Sequence, residues 1–217
     1  MQESIEVISL DLDGVLFNGP SAAYPLAVEL GLGHRFLNVY QKIVAARQSL
    51  EDSITEGSKI WRGVPANGTY DYTVESLPLM TGAEDVVSTL KSWKYKVGCI
   101  SSGVSQFFMK PFIRRLGLDF GYSNILGEAN GAHDGTVRYV MGGPQKAETA
   151  IGYLREEGLP VESLASVGDG RNDIDLFAIS AFSVAFNPES EDVSKAATVT
   201  VHSENLKDIL QYFDPEV

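Results

Sequence analysis

Two aspartates two positions apart, Asp11 and Asp13, end the apolar run Val7-Ile8-Ser9-Leu10, and Gly14 follows at once. Side chains alternate along a strand, so both carboxylates point to the same side where it ends. Like charges that close are unfavourable unless a cation lies between them or one carries a proton. The pair therefore reads as a metal-assisted acid pair at the carboxyl end of a buried parallel strand, or as a cap for the next helix. Three further stretches bear on that choice. Ile100-Ser101-Ser102-Gly103 offers a hydroxyl before a flexible turn whose N–H groups can face an anion, with an ordinary helix N-cap as the alternative. Lys146 falls in the first turn of an expected helix, where a cation opposes the macrodipole unless an anion offsets it; a solvent-exposed lysine is the alternative. Val167-Gly168-Asp169-Gly170-Arg171-Asn172-Asp173 ends a strand in glycine and sets two carboxylates around a second glycine, the oxygen donors that Mg2+ takes. Acids at two strand ends, a hydroxyl and a lysine together favour chemistry over decorated turns.

The elements that must position these residues alternate. Strands are expected at Tyr95 to Ser101, Leu164 to Gly168, Phe182 to Phe186 and Thr198 to Val201. Helices are expected from near Gly82, from Ser105 to Leu116 with a kink or late start at Pro111, from Gln145 to Glu157, from Asn172 to Ile179, and at the end around Leu206 to Phe213. Phe120 to Leu126 and Val137 to Val140 look extended, with turn signals at Asn130-Gly131 and Asp134-Gly135 between them, hence a hairpin. This alternation implies an α/β fold with a doubly wound, Rossmann-like parallel sheet and right-handed crossovers. Between Pro20 and Met80 only helical spacing occurs, as in Phe36, Tyr40, Ile43, Val44 and Leu50. That stretch reads as a small inserted helical unit at residues 18–80, with residues 1–17 and 81–217 forming the α/β core.

Composition narrows the partners. The 217 residues can bury one large core or a core plus an insert, and a formal net charge of −12 argues against nucleic acid or an anionic membrane as partner. Cys99 is the single cysteine and sits in an apolar run, so a buried structural thiol is expected and no intrachain disulfide. Glu3 and Glu6 stand where a signal peptide would be basic, and no apolar run suits a membrane span, so a cytoplasmic protein is expected. His34, His133 and His202 lack ligand spacing and read as surface or supporting residues, although His133 could border a cleft; Trp61 and Trp93 read as packing residues.

The four stretches, in this order, resemble the haloacid dehalogenase superfamily of phosphotransferases, and within it the phosphoserine phosphatase-like branch. Motif one is Asp11-Leu12-Asp13-Gly14-Val15, motif two Ser101 with Ser102-Gly103, motif three Lys146, and motif four Gly168 through Asp173. The helical insert after motif one resembles that branch's cap, and the stretch from Ser101 to Lys146 holds only the hairpin, with no room for a larger α/β cap. The resemblance implies a Mg2+-dependent phosphatase of small phosphorylated metabolites. Asp11 would be the nucleophile that forms an aspartyl-phosphate, and Asp13 the acid and base. Asp11, Asp169 and the backbone carbonyl of Asp13 would hold the metal with support from Asp173. Ser101, Ser102, Gly103, Lys146 and Asn172 would hold the phosphoryl oxygens.

Phosphoserine phosphatases carry a glutamate shortly after motif one for the substrate ammonium and a cap arginine for its carboxylate. Here Asn18-Gly19-Pro20-Ser21 stands at the first place, with no carboxylate until Glu29, and Arg47 and Arg62 are available for the second. The expectation is therefore a general small-phosphometabolite phosphatase, with phosphoserine not the favoured substrate. Alternatives are a phosphosugar mutase, since many begin with Asp-Leu-Asp-Gly-Val, and a non-catalytic phosphate-binding regulatory module on the same scaffold. Monomer and homodimer both stay open.

Overall fold

The computed structural model describes residues 5–215; Glu3, one ground for expecting no signal peptide, lies outside them. Strand β1 (Val7–Leu10) is buried along its whole length, as its unbroken apolar run requires of a strand covered on both faces. After it come four helices, α1 (Ala23–Glu29), α2 (Gly33–Ala46), α3 (Leu50–Ser58) and α4 (Asp71–Glu75), with a 3-10 turn at Lys59–Trp61. Then follow α5 (Ala83–Ser92), β2 (Lys96–Ser105), α6 (Gln106–Leu116), the pair β3 (Phe120–Ala129) and β4 (Ala132–Tyr139), and α7 (Gly143–Glu157). The chain ends with β5 (Leu164–Gly168), α8 (Ile174–Ile179), β6 (Phe182–Phe186), α9 (Glu191–Ala196), β7 (Val199–Val201) and a 3-10 segment, Leu206–Tyr212. Among the described residues no helix is long and apolar enough to cross a membrane.

The sheet runs β4-β3-β2-β1-β5-β6-β7 and is parallel except for the β3–β4 hairpin, as expected of a doubly wound α/β fold. β1 pairs with β2 on one side and β5 on the other, Leu10 lying opposite both Cys99 and Val167. The carboxyl ends of β1, β2 and β5 therefore lie side by side, where the chain order reverses and such sheets hold ligands. Cys99 is fully buried there as a packing residue. Asn130 and Gly131, both at positive φ, make the two-residue turn from Ala129 to Ala132. Asp134-Gly135, the other turn signal, falls inside β4 where the register slips. There Asp134 Oδ1 accepts from the Thr136 N–H at 2.8 Å, and Gly135 takes φ +79°.

Several boundaries differ from the sequence pattern. β2 stays extended through Ser105, so Ser101-Ser102-Gly103 is an irregular strand end rather than a flexible turn. α6 starts at Gln106 and runs through Pro111, so no late start occurs. The helix expected from Asn172 begins as a 3-10 turn at Arg171–Asp173, and the closing helix is 3-10 throughout. α9 buries only Val193 and so shows no stripe in the sequence.

Gly98 in β2 lies under the Phe120 ring, and a Cβ there would stand 2.3 Å from its carbons. Gly98→Val is expected to lower stability by about 1–3 kcal/mol through overpacking, read as a lower denaturant midpoint with unchanged slope.

Candidate active site

Asp11 extends β1 by one residue, its N–H donating to the Val167 carbonyl at 2.9 Å, which sets it beside the end of β5. Its Oδ1 accepts from the Leu12 N–H at 2.8 Å and lies 3.0 Å from Lys146 Nζ. The same ammonium donates to Asp173 Oδ1 at 2.7 Å. Lys146 is fully buried in the first turn of α7, so the two carboxylates supply the anions that a cation at a helix N-terminus requires. The exposed-lysine alternative is excluded. Asp173 is buried too, its Oδ2 accepting from the Asp169 and Gly170 N–H groups, each at 3.1 Å. These bonds turn the Arg171–Asp173 segment inward and explain why a regular helix starts only at Ile174. One oxygen each from Asp11, Asp169 and Asp173 lies within 4.8 Å of the others.

Glycines provide the clearance for this convergence. Gly14 sits at φ +74°, and a Cβ on it would fall 2.0 Å from Asp169 Oδ2. On Gly168 it would meet Asp173 Cγ at 2.3 Å, and on Gly103 it would meet Asp13 Oδ2 at 1.8 Å. Asp13 thus faces motif two instead of the other three acids. Its Oδ1 accepts from the Ala22 N–H at 2.6 Å, and Asp13 is not part of the acid trio.

Motifs two and four also meet. Asn172 Nδ2 donates to Ser102 Oγ at 3.0 Å, and Ser101 Oγ accepts from the Gly103 N–H at 3.1 Å. The irregular end of β2 is held by Asn124, which nothing in the sequence pattern marked. Its Nδ2 donates to the carbonyls of Ser102 and Val104 at 2.7 and 2.9 Å, and its Oδ1 accepts from the Met141 N–H at 2.8 Å. A buried amide bonded this fully fixes its neighbours.

Burial and crowding perturb the acids. Burial, then the nearby Asp173, push the Asp11 carboxyl well above its ordinary value. Burial takes Asp13 up to about 6, against the Ala22 N–H and Lys146, which pull it down. Burial and Asp173 take Asp169 up to about 7. Burial alone would lower the Lys146 ammonium; Asp11 and Asp173 outweigh it and hold it above its ordinary value. Buried carboxylates this close, with one lysine among them, are a donor set short of positive charge, which a hard divalent cation with oxygen ligands fits.

A model of the haloacid dehalogenase-like hydrolase family matches residues 132–213, the stretch that carries motifs three and four. The chain is thus similar to the haloacid dehalogenase superfamily and, within it, to the phosphoserine phosphatase-like branch. It is 27% identical to the phosphoserine phosphatase of Archaeoglobus fulgidus over 201 residues, 92% of this chain and 57% of that protein. With the enzyme of that name from Methanocaldococcus jannaschii it shares 24% over 213 residues, 98% of this chain and 99% of the other. A substrate-bound phosphoserine phosphatase structure, 23% identical, superposes with a TM-score of 0.80 over 97% of this chain and 99% of that one, and so shares the fold. The chain spans roughly half to two thirds of the length of the first curated relatives it matches.

Above the haloacid dehalogenase motifs lies a cavity of about 800 Å3, with Asp13, Ser102 and Gly103 at its inner end and residues of α1, α2 and α3 in its wall. Neither Arg47 nor Arg62 lines it. Arg62 Nε instead donates to the Asp134 carbonyl at 3.0 Å. His133 does line it and is buried, which corrects the surface reading; its ring stands edge-on to Phe107, and burial lowers its pKa. Trp61 packs on Phe36 and lines the cavity as well. His34, His202 and Trp93 take no part in it.

The crowding has a measurable signature in the metal-free chain. Folded Asp169 keeps its proton up to about pH 7, while an unfolded aspartate ionises near 4. Ionisation therefore costs stability as pH climbs between those values, and asparagine escapes that cost. In EDTA, the melting temperature of Asp169→Asn relative to the wild type is expected to rise between pH 4 and 7. A pH-independent difference would exclude crowding at this carboxylate.

Proposed function

We propose that this chain is a Mg2+-dependent phosphomonoesterase that works through an aspartyl-phosphate on Asp11. The observation that carries the reading is the meeting of motifs from β1, β2, α7 and the β5–α8 turn around one buried lysine. Residues 18–80 act as the cap of this enzyme, and the remainder as its catalytic core.

Asp11 attacks phosphorus in line with the departing oxygen, forming the Asp11 O–P bond as the ester P–O bond breaks. Asp13, whose pKa burial raises to about 6, gives its proton to the leaving alcohol oxygen when it enters the reaction as the acid. The resulting Asp13 carboxylate then takes a proton from water, whose oxygen attacks the aspartyl-phosphate. That releases inorganic phosphate and restores both acids. Ser101, the N–H groups around Ser102 and Gly103, Lys146 and Asn172 hold the phosphoryl oxygens through the transfer. Asn172 and Ser102 already touch, which preserves their mutual orientation before substrate arrives. Mg2+, bound by Asp11, Asp169 and the backbone carbonyl of Asp13 with support from Asp173, would neutralise the charge that otherwise keeps two anions apart.

Phosphate release from a panel of phosphomonoesters with Mg2+, repeated with EDTA and with Asp11→Asn, tests the reading. The expected outcome is release that needs both the metal and Asp11, with loss of at least about a thousandfold in kcat for the variant. Release that persists in Asp11→Asn would remove the covalent route. Asp13→Asn is expected to lower kcat far more than it weakens inorganic phosphate binding; equal losses in both would rule out acid–base work at Asp13.

A further inference from the structure

The amphipathic helix α2 poses a problem that the catalytic residues leave untouched. Over 14 residues it buries none, yet its apolar positions follow helical spacing. Phe36, Val39, Tyr40 and Ile43 turn that stripe toward the cavity above Asp13, and Ile54 of α3 and Phe107 of α6 stand in the same wall. The opposite rim is tied down: the Gly63 and Ala66 N–H groups donate to the carbonyls of His133 and Gly131 at 2.8 and 2.9 Å, and the His133 N–H donates to the Val64 carbonyl at 2.9 Å. The space is thus a built part of the protein, continuous with the phosphate-binding end.

Its charges do not suit an amino-acid phosphate. Arg114 is engaged by Asp71 at 2.6 Å and Glu75 at 3.1 Å. Lys110 and Glu128 reach the cavity from exposed positions. A zwitterion placed against the α2 stripe, whose lining residues Phe36, Val39, Tyr40 and Ile43 carry no charge, would lose its hydration there with no ionic partner on that wall.

We propose that the leaving group this site accepts is an uncharged, largely hydrophobic alcohol that covers the α2 stripe, so that the substrate is its phosphomonoester. This rests on the phosphomonoesterase reading and narrows it. Each buried methylene of such an alcohol adds to transition-state binding only where the pocket is apolar and large enough to receive it.

The test is kcat/KM for n-alkyl phosphates from ethyl to octyl, with O-phosphoserine and acetyl phosphate alongside, all with Mg2+ and with Asp11→Asn as control. The expected result is a rise of about two- to fourfold per methylene until the cavity fills, with phosphoserine below butyl phosphate. Ile43→Ser and Ile54→Ser are expected to flatten that rise. Asp11-dependent release that is flat with chain length, or greatest for phosphoserine, overturns the inference and leaves the phosphatase standing. If the flat series accompanies a dimer in solution, the stripe belongs to a second copy instead. No release from any ester, acetyl phosphate included, removes the phosphatase reading. Affinity for n-alkylphosphonates then judges the cavity alone: tightening with length supports it, and constant affinity overturns it.

Discussion

Lys146 holds together a set of carboxylates that would otherwise drive one another apart. Asp11 and Asp173 both contact its ammonium, and Asp169 shares an oxygen cluster with them. Asp11 and Asp169 directly follow the ends of the neighbouring parallel strands β1 and β5, and the turn after β5 brings Asp173 back to them, so the fold itself forces the repulsion. A buried charge network of this kind is weak evidence for stability and strong evidence for a site. Backbone N–H groups of Leu12, Asp169 and Gly170 supply the remaining positive ends of dipoles. Glycines at 14, 103 and 168 keep the approach open where any side chain would collide with a carboxylate.

Around that cluster, the parts of the chain divide the work. The sheet end sets the distances between the motif residues, which touch one another through Lys146 and through Asn172 and Ser102. Asn124 shows how far this extends, since an amide on β3 keeps the irregular end of β2 in place from behind. The wall built by α1, α2 and α3 meets that network where Asp13, Ser102, Gly103 and Asn124 line the cavity, and where the Ala22 N–H before α1 donates to Asp13 Oδ1. The motif residues and the apolar wall are therefore largely different sets of side chains, and one set can change while the other stays.

The helical insert is also not a free-standing flap. Residues 63–66 pair with β4, Ser58 Oγ donates to the Gly135 carbonyl at 3.1 Å, and α4 is held to α6 through Arg114. On the α1–α2 side, apolar residues such as Val28 and Val44 remain exposed.

Sequence alone determined the α/β alternation, the strand ends that carry acids and the four motifs, because strand burial, turn residues and paired carboxylates leave local patterns. It also determined that no acid follows motif one. It missed Asn124 and α9, and it took the end of β2 for a turn, because each depends on partners distant in the chain. Lys146 makes the contrast plain. In sequence it was a lysine poorly placed at a helix start; only the fold brought Asp11 and Asp173 to it and left it buried. The apolar stripe of α2 was legible as periodicity, yet whether it faced a core or a cavity was decided by tertiary packing, since period reports a face and not what lies opposite it.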